Sequence, residues 1–245
     1  VLSLSRWPGK GKGWLRFPFY HTVFDDERAG FERQIDTLNQ WGDFIGLDDA
    51  IALIESGNPI NENYFCLTFD DGFKNNVTNA VPILVEKQIP AAFFLATGFI
   101  GTNTDTDREK LLGFYKEGNI LMEFLTWEDC RQMVDAGMTI GSHTVNHAHL
   151  ASLDDDSVTV ELAKSKTMIE KELGLACEHF CCPWGSPERD FLPHRDPQIA
   201  ERLGYRSFLV AGRGPTTPGS SPYHVRRDQL LANWGNFQLR YFMTA

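Results

Sequence analysis

Two neighbouring carboxylates, Asp70 and Asp71, follow a short apolar run and precede Gly72. Side chains alternate between the two faces of a strand, so these carboxylates would point apart if the strand continued. A turn that begins at Asp70 can instead direct both of them toward one rim. One carboxylate could then bind a metal ion while its neighbour accepts a proton from water. Because Asp and Gly are common turn formers, this segment taken alone favours an ordinary turn.

A pair of histidines, His143 and His147, lies further along the chain. Histidines four positions apart can share one face of a helical turn, with Cβ atoms about 5–6 Å apart. Neutral imidazoles bind zinc at about 2.0–2.1 Å, so the pair can provide two ligands to one ion. A single histidine is more often structural, but this pair combined with Asp70 and Asp71 indicates a metal site. His149 is assigned no role.

The segment Pro183-Trp184-Gly185 follows an apolar run that ends in Cys181 and Cys182. An aromatic face can stack on a sugar ring, and glycine lets a ligand approach the backbone closely. The alternative is a simple turn with a tryptophan that packs against the core. Thiolate metal sites usually have C-x₂-C spacing, so the two adjacent cysteines are interpreted as small strand residues.

Helical patterns that end near Gly or Pro alternate with short apolar runs. The predicted helices are 31–41, 49–55 with Asp48 as N-cap, 81–88, 127–136, 158–173 and 197–203, and the predicted strands are 64–69, 91–95, 138–141, 179–182 and 207–210. This alternation predicts parallel strands with right-handed crossovers. The candidate site residues follow predicted strands, whose carboxyl ends share one rim both in a barrel and in an open sheet. Periodicity alone leaves these two architectures open.

Composition limits the classes of partner. The chain has 245 residues, 42% of them hydrophobic, and a net charge of -10. This length suits one domain, and we predict a single catalytic domain over residues 1–245 with an extended segment at residues 1–14. The acidic balance argues against nucleic acid, which requires clustered Lys and Arg.

Location is predicted from three features. No apolar run approaches the roughly 20 residues of a membrane-spanning helix, so we expect no transmembrane segment. The start of the chain lacks an apolar leader, and the cysteines are five in number, two of them adjacent. An oxidising compartment usually selects paired, spaced cysteines, so the pattern favours the cytoplasm.

The three segments, in this order, resemble the motifs of the polysaccharide deacetylase family, the NodB-homology carbohydrate esterases of family 4. The first motif resembles Thr68 to Gly72, the second Ser142 to His147 and the third Phe180 to Gly185. The early Tyr20-His21 pair is similar to an element near the start of many members. The resemblance spans roughly Tyr20 to Val210, which is most of the chain.

The resemblance implies a distorted (β/α) barrel and the removal of N-acetyl groups from an amino sugar of a glycan or glycan precursor, in the biosynthesis or modification of surface polysaccharide. By position it implies Asp70 as the general base and Asp71, His143 and His147 as the ligands of one divalent metal ion. Zinc is the expected ion, with cobalt, nickel and iron as alternatives because nitrogen and oxygen ligands accept several first-row ions.

Two departures from the family pattern concern the partners of the base. Cys181 stands where many members have an arginine that orients the base, and Arg226 is the candidate for that part. The later leucine-histidine motif, which supplies the general acid, is not plainly present, and His224 is the nearest candidate. The candidate substrate-binding residues are His21, Pro183, Trp184, Gly185 and Arg226.

Two alternatives stay open from the sequence. The first is a hydrolase of the same superfamily that acts on another amide, such as a formamide or a cyclic imide. The second is a catalytically silent homologue that binds sugar, although a silent relative would be free to lose Asp70 or Asp71. The sequence does not indicate the oligomeric state.

Overall fold

The computed structural model of the protein describes residues 13–114, 121–217 and 219–244. Its strands are β1 (Trp14–Arg16), β2 (Pro18–Tyr20), β3 (Asp43–Phe44), β4 (Asn63–Phe65), β5 (Leu67–Phe69), β6 (Ala91–Leu95), β7 (Thr139–Ser142), β8 (His179–Cys181), β9 (Ser207–Ala211) and β10 (Val225–Gln229). Its α-helices are α1 (Arg28–Asn39), α2 (Leu47–Ser56), α3 (Val81–Glu86), α4 (Arg108–Leu112), α5 (Trp127–Asp135), α6 (Asp155–Leu173), α7 (Asp196–Arg202) and α8 (Asn236–Thr244).

Parallel strands of the described chain close into a barrel in the order β10-β2-β5-β6-β7-β8-β9. Helices between successive strands pack against the barrel, as α5 and α6 do on β7 and α7 does on β9. The predicted distorted (β/α) barrel is confirmed, and the open doubly wound sheet is excluded. A small parallel sheet, ordered β1-β4-β3, lies beside the barrel.

The strands that close the barrel, β2 and β10, are absent from the sequence prediction. The first begins with Pro18, and the second, Val225–Gln229, carries three charged residues in succession. Neither segment has the continuous apolar character of a strand buried on both faces. The other barrel strands were predicted, except that the run 64–69 divides at Cys66 into β4 of the small sheet and β5 of the barrel.

The six predicted helices are present with boundaries within three residues of the prediction, whereas α4 and α8 are absent from it and one predicted N-cap is wrong. Thr126 and Asp129 form the capping box that begins α5, and α6 ends at Gly174 in the left-handed conformation. Asp48, predicted as an N-cap, is instead in the first turn of α2, whose N-cap is Gly46. Its carboxylate lies 3.1 Å from Nε2 of His179, so it binds the barrel rather than the helix end.

The barrel interior is filled at the amino ends of the strands. Inward side chains such as Phe94, Leu209 and Val225 form one buried cluster with the apolar face of α2, including Ile51 and Ile54. This packing covers the amino-terminal end of the barrel. The carboxyl ends of the strands are not covered by this cluster, and a pocket lined by polar side chains can form there.

The predicted domain limits meet the described residues only in part. Of the predicted extended segment 1–14, residues 1–12 lie outside the described residues, and Trp14 begins β1. The single catalytic domain over residues 1–245 stays a prediction. Among the helices of the described ranges, none has both the length and the apolar character needed to cross a membrane.

Candidate active site and metal centre

A pocket of about 830 Å³ opens at the carboxyl ends of the barrel strands. Its walls include residues from all three motifs and from β10. The lining includes the titratable and aromatic side chains His21, Asp70, His143, His147, Trp184 and Arg227. This volume is within the range of pockets that hold small organic ligands.

A left-handed turn after β5 directs both carboxylates of the first motif to the site. Asp71 has a φ of 73° and Gly72 a φ of 84°, so the strand ends directly after Asp70. The positive φ of Gly72 favours glycine at this position, and a Cβ atom there would also lie 2.9 Å from Cδ1 of Ile100 and 3.1 Å from Cδ2 of Leu95. The predicted turn is therefore present. Because the chain turns at Asp71, the two carboxylates do not point to opposite faces as they would in a continuing strand.

Asp71, His143 and His147 converge. Oδ1 of Asp71 lies 3.4 Å from Nε2 of His143 and 3.2 Å from Nε2 of His147, and all three side chains are buried. The histidine pair is not on a helical turn as predicted. It lies on a loop after β7 in which Thr144 and His147 have φ values of 66° and 53°, and the imidazole centroids are 5.1 Å apart.

The chemistry of these three donors fits a divalent metal ion. Nδ1 of His143 lies 2.8 Å from the carbonyl oxygen of Cys181, which favours a proton on Nδ1 and leaves the lone pair of Nε2 toward Asp71. Burial lowers the pKa of His147, although Asp71 opposes this change, and the neutral form is the one that binds metal. Burial alone would raise the pKa of Asp71, but His147 and His143 hold it well below its usual range. Two imidazoles and a carboxylate are a common zinc donor set.

Asp70 is held by a buried arginine from β10. Nη1 and Nη2 of Arg227 each lie 2.7 Å from a different carboxylate oxygen of Asp70, and Nη1 also donates to Oγ1 of Thr68 at 3.2 Å. The guanidinium carbon lies 4.2 Å from the centre of the Phe19 ring. Burial alone would raise the pKa of Asp70, but Arg227 and His143 outweigh it and lower that pKa. Asp70 is therefore ionised and fixed in orientation at neutral pH.

Cys181 contacts the same carboxylate from β8. Its thiol lies 3.6 Å from Oδ1 of Asp70, and burial raises its pKa well above the usual value, so it is a neutral donor. Ligand atoms of Asp70, His143 and Cys181 lie within 4.8 Å of one another. A cysteine binds metal as the thiolate, whereas Cys181 is a neutral thiol and Asp70 is paired with Arg227. The group of Asp70, His143 and Cys181 is therefore a poorer metal site than the group of Asp71, His143 and His147.

Arg226 does not orient the base. Adjacent side chains of a strand point to opposite faces, and Arg226 is exposed on the outer face of β10, where it donates to the carbonyl oxygen of Pro215 at 2.9 Å. The predicted residue, Arg226, is therefore the wrong member of an arginine pair, and its neighbour Arg227 holds Asp70. Alternation in the segment 225–229 could have identified Arg227, had the segment been recognised as a strand.

His224 is not brought to the pocket either. It belongs to the 3₁₀ turn Pro222–His224, directly before β10, and is therefore at the amino end of that strand. Its ring lies 6.4 Å from that of Phe191. Since the pocket is at the carboxyl ends of the strands, His224 is not suited to protonate a substrate there.

The remaining predicted residues lie at or under the pocket wall. His21 follows β2, is half-buried and lines the pocket. Trp184, with a φ of 61°, also lines the pocket and is 39% exposed. Pro183 and Gly185 form the turn beneath it, and a Cβ atom at Gly185 would lie 2.4 Å from the backbone nitrogen of Ala211.

Comparison with known sequences agrees with this geometry. The sequence profile described as polysaccharide deacetylase matches residues 57–208, more than half of the chain. The chain belongs to the polysaccharide deacetylase family. This confirms the resemblance inferred from the three motifs.

Individual relatives have low sequence identity to this chain, but their alignments cover most of it. YxkH of Bacillus subtilis (strain 168), whose name places it among polysaccharide deacetylases, is 23% identical over 182 residues, which are 74% of this chain and 57% of that protein. The poly-beta-1,6-N-acetyl-D-glucosamine N-deacetylase of Staphylococcus aureus (strain MRSA252) is 24% identical over 224 residues, covering 86% of this chain and 72% of that protein. The chain thus spans little more than half the length of YxkH.

Solved structures share the fold. IcaB from Ammonifex degensii superposes with a TM-score of 0.78 at 22% identity, covering 96% of this chain and 99% of that one. The Streptococcus pyogenes deacetylase PplD, solved with acetate, has a TM-score of 0.72 at 21% identity and covers 97% and 99% of the two chains.

The metal site makes a direct prediction. We expect purified protein dialysed against trace zinc to retain about one ion per chain, as one site with three protein ligands requires. His143→Ala should lower zinc affinity by more than about 100-fold, because even outer partners of metal ligands contribute 10–100-fold. Elemental analysis measures both values, and His194→Ala, which changes an exposed histidine, is the control. Full zinc binding by His143→Ala would contradict the site.

The two adjacent arginines provide a matched test of the buried pair. In metal-free protein, Arg227→Met leaves Asp70 buried without its cation, which we expect to lower the free energy of unfolding by about 3–5 kcal/mol at neutral pH. Because the folded-state pKa of Asp70 is depressed, its contribution is present above the ordinary carboxyl pKa and is lost as pH falls through the folded value. The difference from wild type should therefore shrink in acid.

Arg226→Met is the control for that comparison. Surface substitutions usually change stability by less than about 0.5 kcal/mol, and we expect this variant to stay within that range. Urea unfolding of the three proteins at several pH values measures the effect. Equal losses in the two variants would show that Arg227 has no special relation to Asp70.

Proposed function

We propose that the protein is a metal-dependent N-deacetylase that hydrolyses N-acetyl groups of an amino sugar in a surface polysaccharide or its precursor. The observation that carries this proposal is that Asp71, His143 and His147 converge at the wall of a pocket, which His143 and His147 line together with a separately held carboxylate, Asp70. Family membership supports the same reaction. The name of the staphylococcal relative makes β-1,6-linked N-acetylglucosamine the first substrate to test.

The proposed cofactor is one divalent ion, with zinc as the first choice. Zinc accepts two imidazoles and a carboxylate and keeps a coordination position open in catalytic sites, although cobalt, nickel and iron suit the same donors. When bound, such an ion polarises a carbonyl oxygen and lowers the pKa of water from about 15.7 to about 7.

Asp70 is the proposed general base. It is ionised, faces the pocket and is fixed by both nitrogens of the Arg227 fork, so it can accept the proton of the water that attacks the acetyl carbon. Arg227 acts through Asp70 and is a positioning residue. The neutral thiol of Cys181 adds a weak third contact to the same carboxylate.

His21 replaces His224 as the proposed general acid. Cleavage of an amide requires a proton on the leaving nitrogen, and His21 lines the pocket. His21 and Asp70 line the same pocket, and His21 is the smallest of the contributions that lower the pKa values of Asp70 and Asp71. Its backbone is fixed because its carbonyl oxygen accepts a hydrogen bond from Asn76 at 3.0 Å.

Trp184 is the proposed sugar contact, with Pro183 and Gly185 as its supporting turn. Its partly exposed indole lines the pocket beside His147, at a centroid distance of 4.9 Å. An aromatic surface suits the apolar face of a pyranose ring. Substrates with a formamide or cyclic imide share the metal chemistry, and a panel of these compounds tests the first alternative.

The cytoplasmic location remains part of the proposal. All five cysteines are buried free thiols, as a reducing compartment allows. A substrate in that compartment would be a glycan precursor, such as a nucleotide-linked or lipid-linked amino sugar.

The base assignment predicts a separation of binding from turnover. Asp70→Asn keeps the shape of the side chain but cannot accept the proton, so we expect acetate release from a β-1,6-linked N-acetylglucosamine pentamer to fall by about 10²–10⁴-fold. Zinc content should be unchanged, in contrast to His143→Ala. Wild-type rates in Asp70→Asn would overturn the assignment, and acetate release can be followed by a coupled assay.

The acid assignment is tested by changing the leaving group. His21→Gln should reduce the rate on the pentamer by about 10²-fold or more, because the amine cannot leave without a proton. On 4-nitrophenyl acetate, whose phenolate leaves without protonation, the same variant should stay within a few-fold of wild type. Asp70→Asn should be slow on both substrates, and His224→Gln should resemble wild type on both. Equal losses on the two substrates would exclude His21 as the acid.

A further inference from the structure

The imidazole of His149 lies flat against the indole of Trp184. The two rings have centroids 4.9 Å apart and planes that differ by 3°. An exposed indole on a turn would otherwise have several rotamers available. Since parallel aromatic contacts contribute beyond buried area, this stack restrains the indole to one orientation.

His149 is itself anchored to a buried carboxylate. Its Nδ1 lies 3.3 Å from Oδ1 of Asp190, whose side chain is 1% exposed. Asp190 also accepts from the backbone nitrogen of Ser186 at 2.9 Å and from Arg189 at 3.0 Å. The loop that carries His149 and the loop that follows Trp184 therefore meet at one carboxylate.

Backbone contacts fix these two loops further. The nitrogen of Ala151 donates to the carbonyl oxygen of Asp190 at 3.0 Å. Arg195 donates to the carbonyl oxygens of Leu150 and Leu153 at 2.8 Å and 2.7 Å. The loop that carries His149 is thus held by several hydrogen bonds. A residue that orients another side chain must itself be held in place in this way.

The restrained indole also touches the metal centre. Trp184 packs on His147 at 4.9 Å and 54°, and His147 stacks on Phe114 from another direction at 4.6 Å and 26°. One face of the indole is covered by His149, while the residue keeps 39% of its surface exposed and lines the pocket. The exposed part of the Trp184 indole is therefore held in one position beside the candidate metal ligand His147.

We infer that His149 is a positioning residue for substrate: anchored to Asp190 and stacked on Trp184, it holds the indole as a platform for a pyranose ring of the glycan. The inference rests on the proposed deacetylase function and assigns that site a further residue. His149 belongs neither to the Asp71, His143 and His147 group nor to the residues that line the pocket, so we expect its effect on sugar binding rather than on the chemical step.

The test compares sugar and non-sugar substrates in zinc-loaded protein. For the β-1,6-linked N-acetylglucosamine pentamer, His149→Ala should raise KM about three- to tenfold, the range of an aromatic stack, with kcat within about twofold. For 4-nitrophenyl acetate, which has no sugar ring, kcat/KM should be unchanged. His149→Phe, which retains a flat ring, should recover part of the KM, and His149→Gln, which retains only a polar group, should not. His194→Ala is the surface control.

A double-mutant comparison shows whether the effect passes through the indole. In a Trp184→Ala background, His149→Ala should raise KM no further, because the platform is already absent. The inference is overturned by an additional loss in that background. It is also overturned by an unchanged KM in His149→Ala, or by loss of bound zinc and of activity on both substrates.

Failure of the proposed function gives a different result. In that case wild-type protein releases no acetate from any acetylated substrate, and direct titration of the pentamer decides the inference. Weaker binding of the pentamer to His149→Ala than to wild type supports the platform. Equal binding, or none to either protein, overturns it.

Discussion

The ion pair between Asp70 and Arg227 is the interaction on which the arrangement of the pocket depends. Both side chains are almost fully buried. The desolvation free energy of two buried charges is larger than the stabilisation that most single contacts provide. The pair is stabilised because Nη1 and Nη2 of Arg227 each contact a different carboxylate oxygen of Asp70. Thr68 accepts a further hydrogen bond from Nη1, and the guanidinium carbon lies 4.2 Å from the centre of the Phe19 ring. Asp70 directly follows β5 and Arg227 lies in β10, so the pair exists only when β2 and β10 close the barrel.

Left-handed turns at the strand ends complete the site. Asp71, Thr144, His147 and Trp184 all have positive φ values, which cost non-glycine residues of order 1–3 kcal/mol each when strained. Hydrogen bonds hold these turns, for example from the carboxylate of Glu161, which accepts from two backbone nitrogens of the second-motif loop at 2.9 Å. The stability of the barrel therefore supports a ligand geometry that the local sequence would not adopt alone.

Prediction from sequence succeeded where all the residues that indicate a site or a helix end lie within one short segment. Each of the three motifs joins an apolar strand to polar residues within a few positions, and α5 and α6 have their caps beside them. It failed where the signal is shared between distant segments. β10 is too highly charged to be recognised as a strand, so the alternation that distinguishes Arg227 from Arg226 was not used. His224 was chosen by its position in the chain, although the fold directs it to the opposite end of β10.

The sequence by itself determined the donor types and the family, because Asp70, Asp71, His143 and His147 occur at characteristic local spacings. Only the tertiary structure decided which arginine holds the base, that His21 rather than His224 faces the pocket, and that His149 supports Trp184. These relations join residues far apart in the chain, and their distances are set by barrel closure and by strand register. Local propensity and periodicity do not encode such distances, since both depend on neighbours in sequence rather than on neighbours in space.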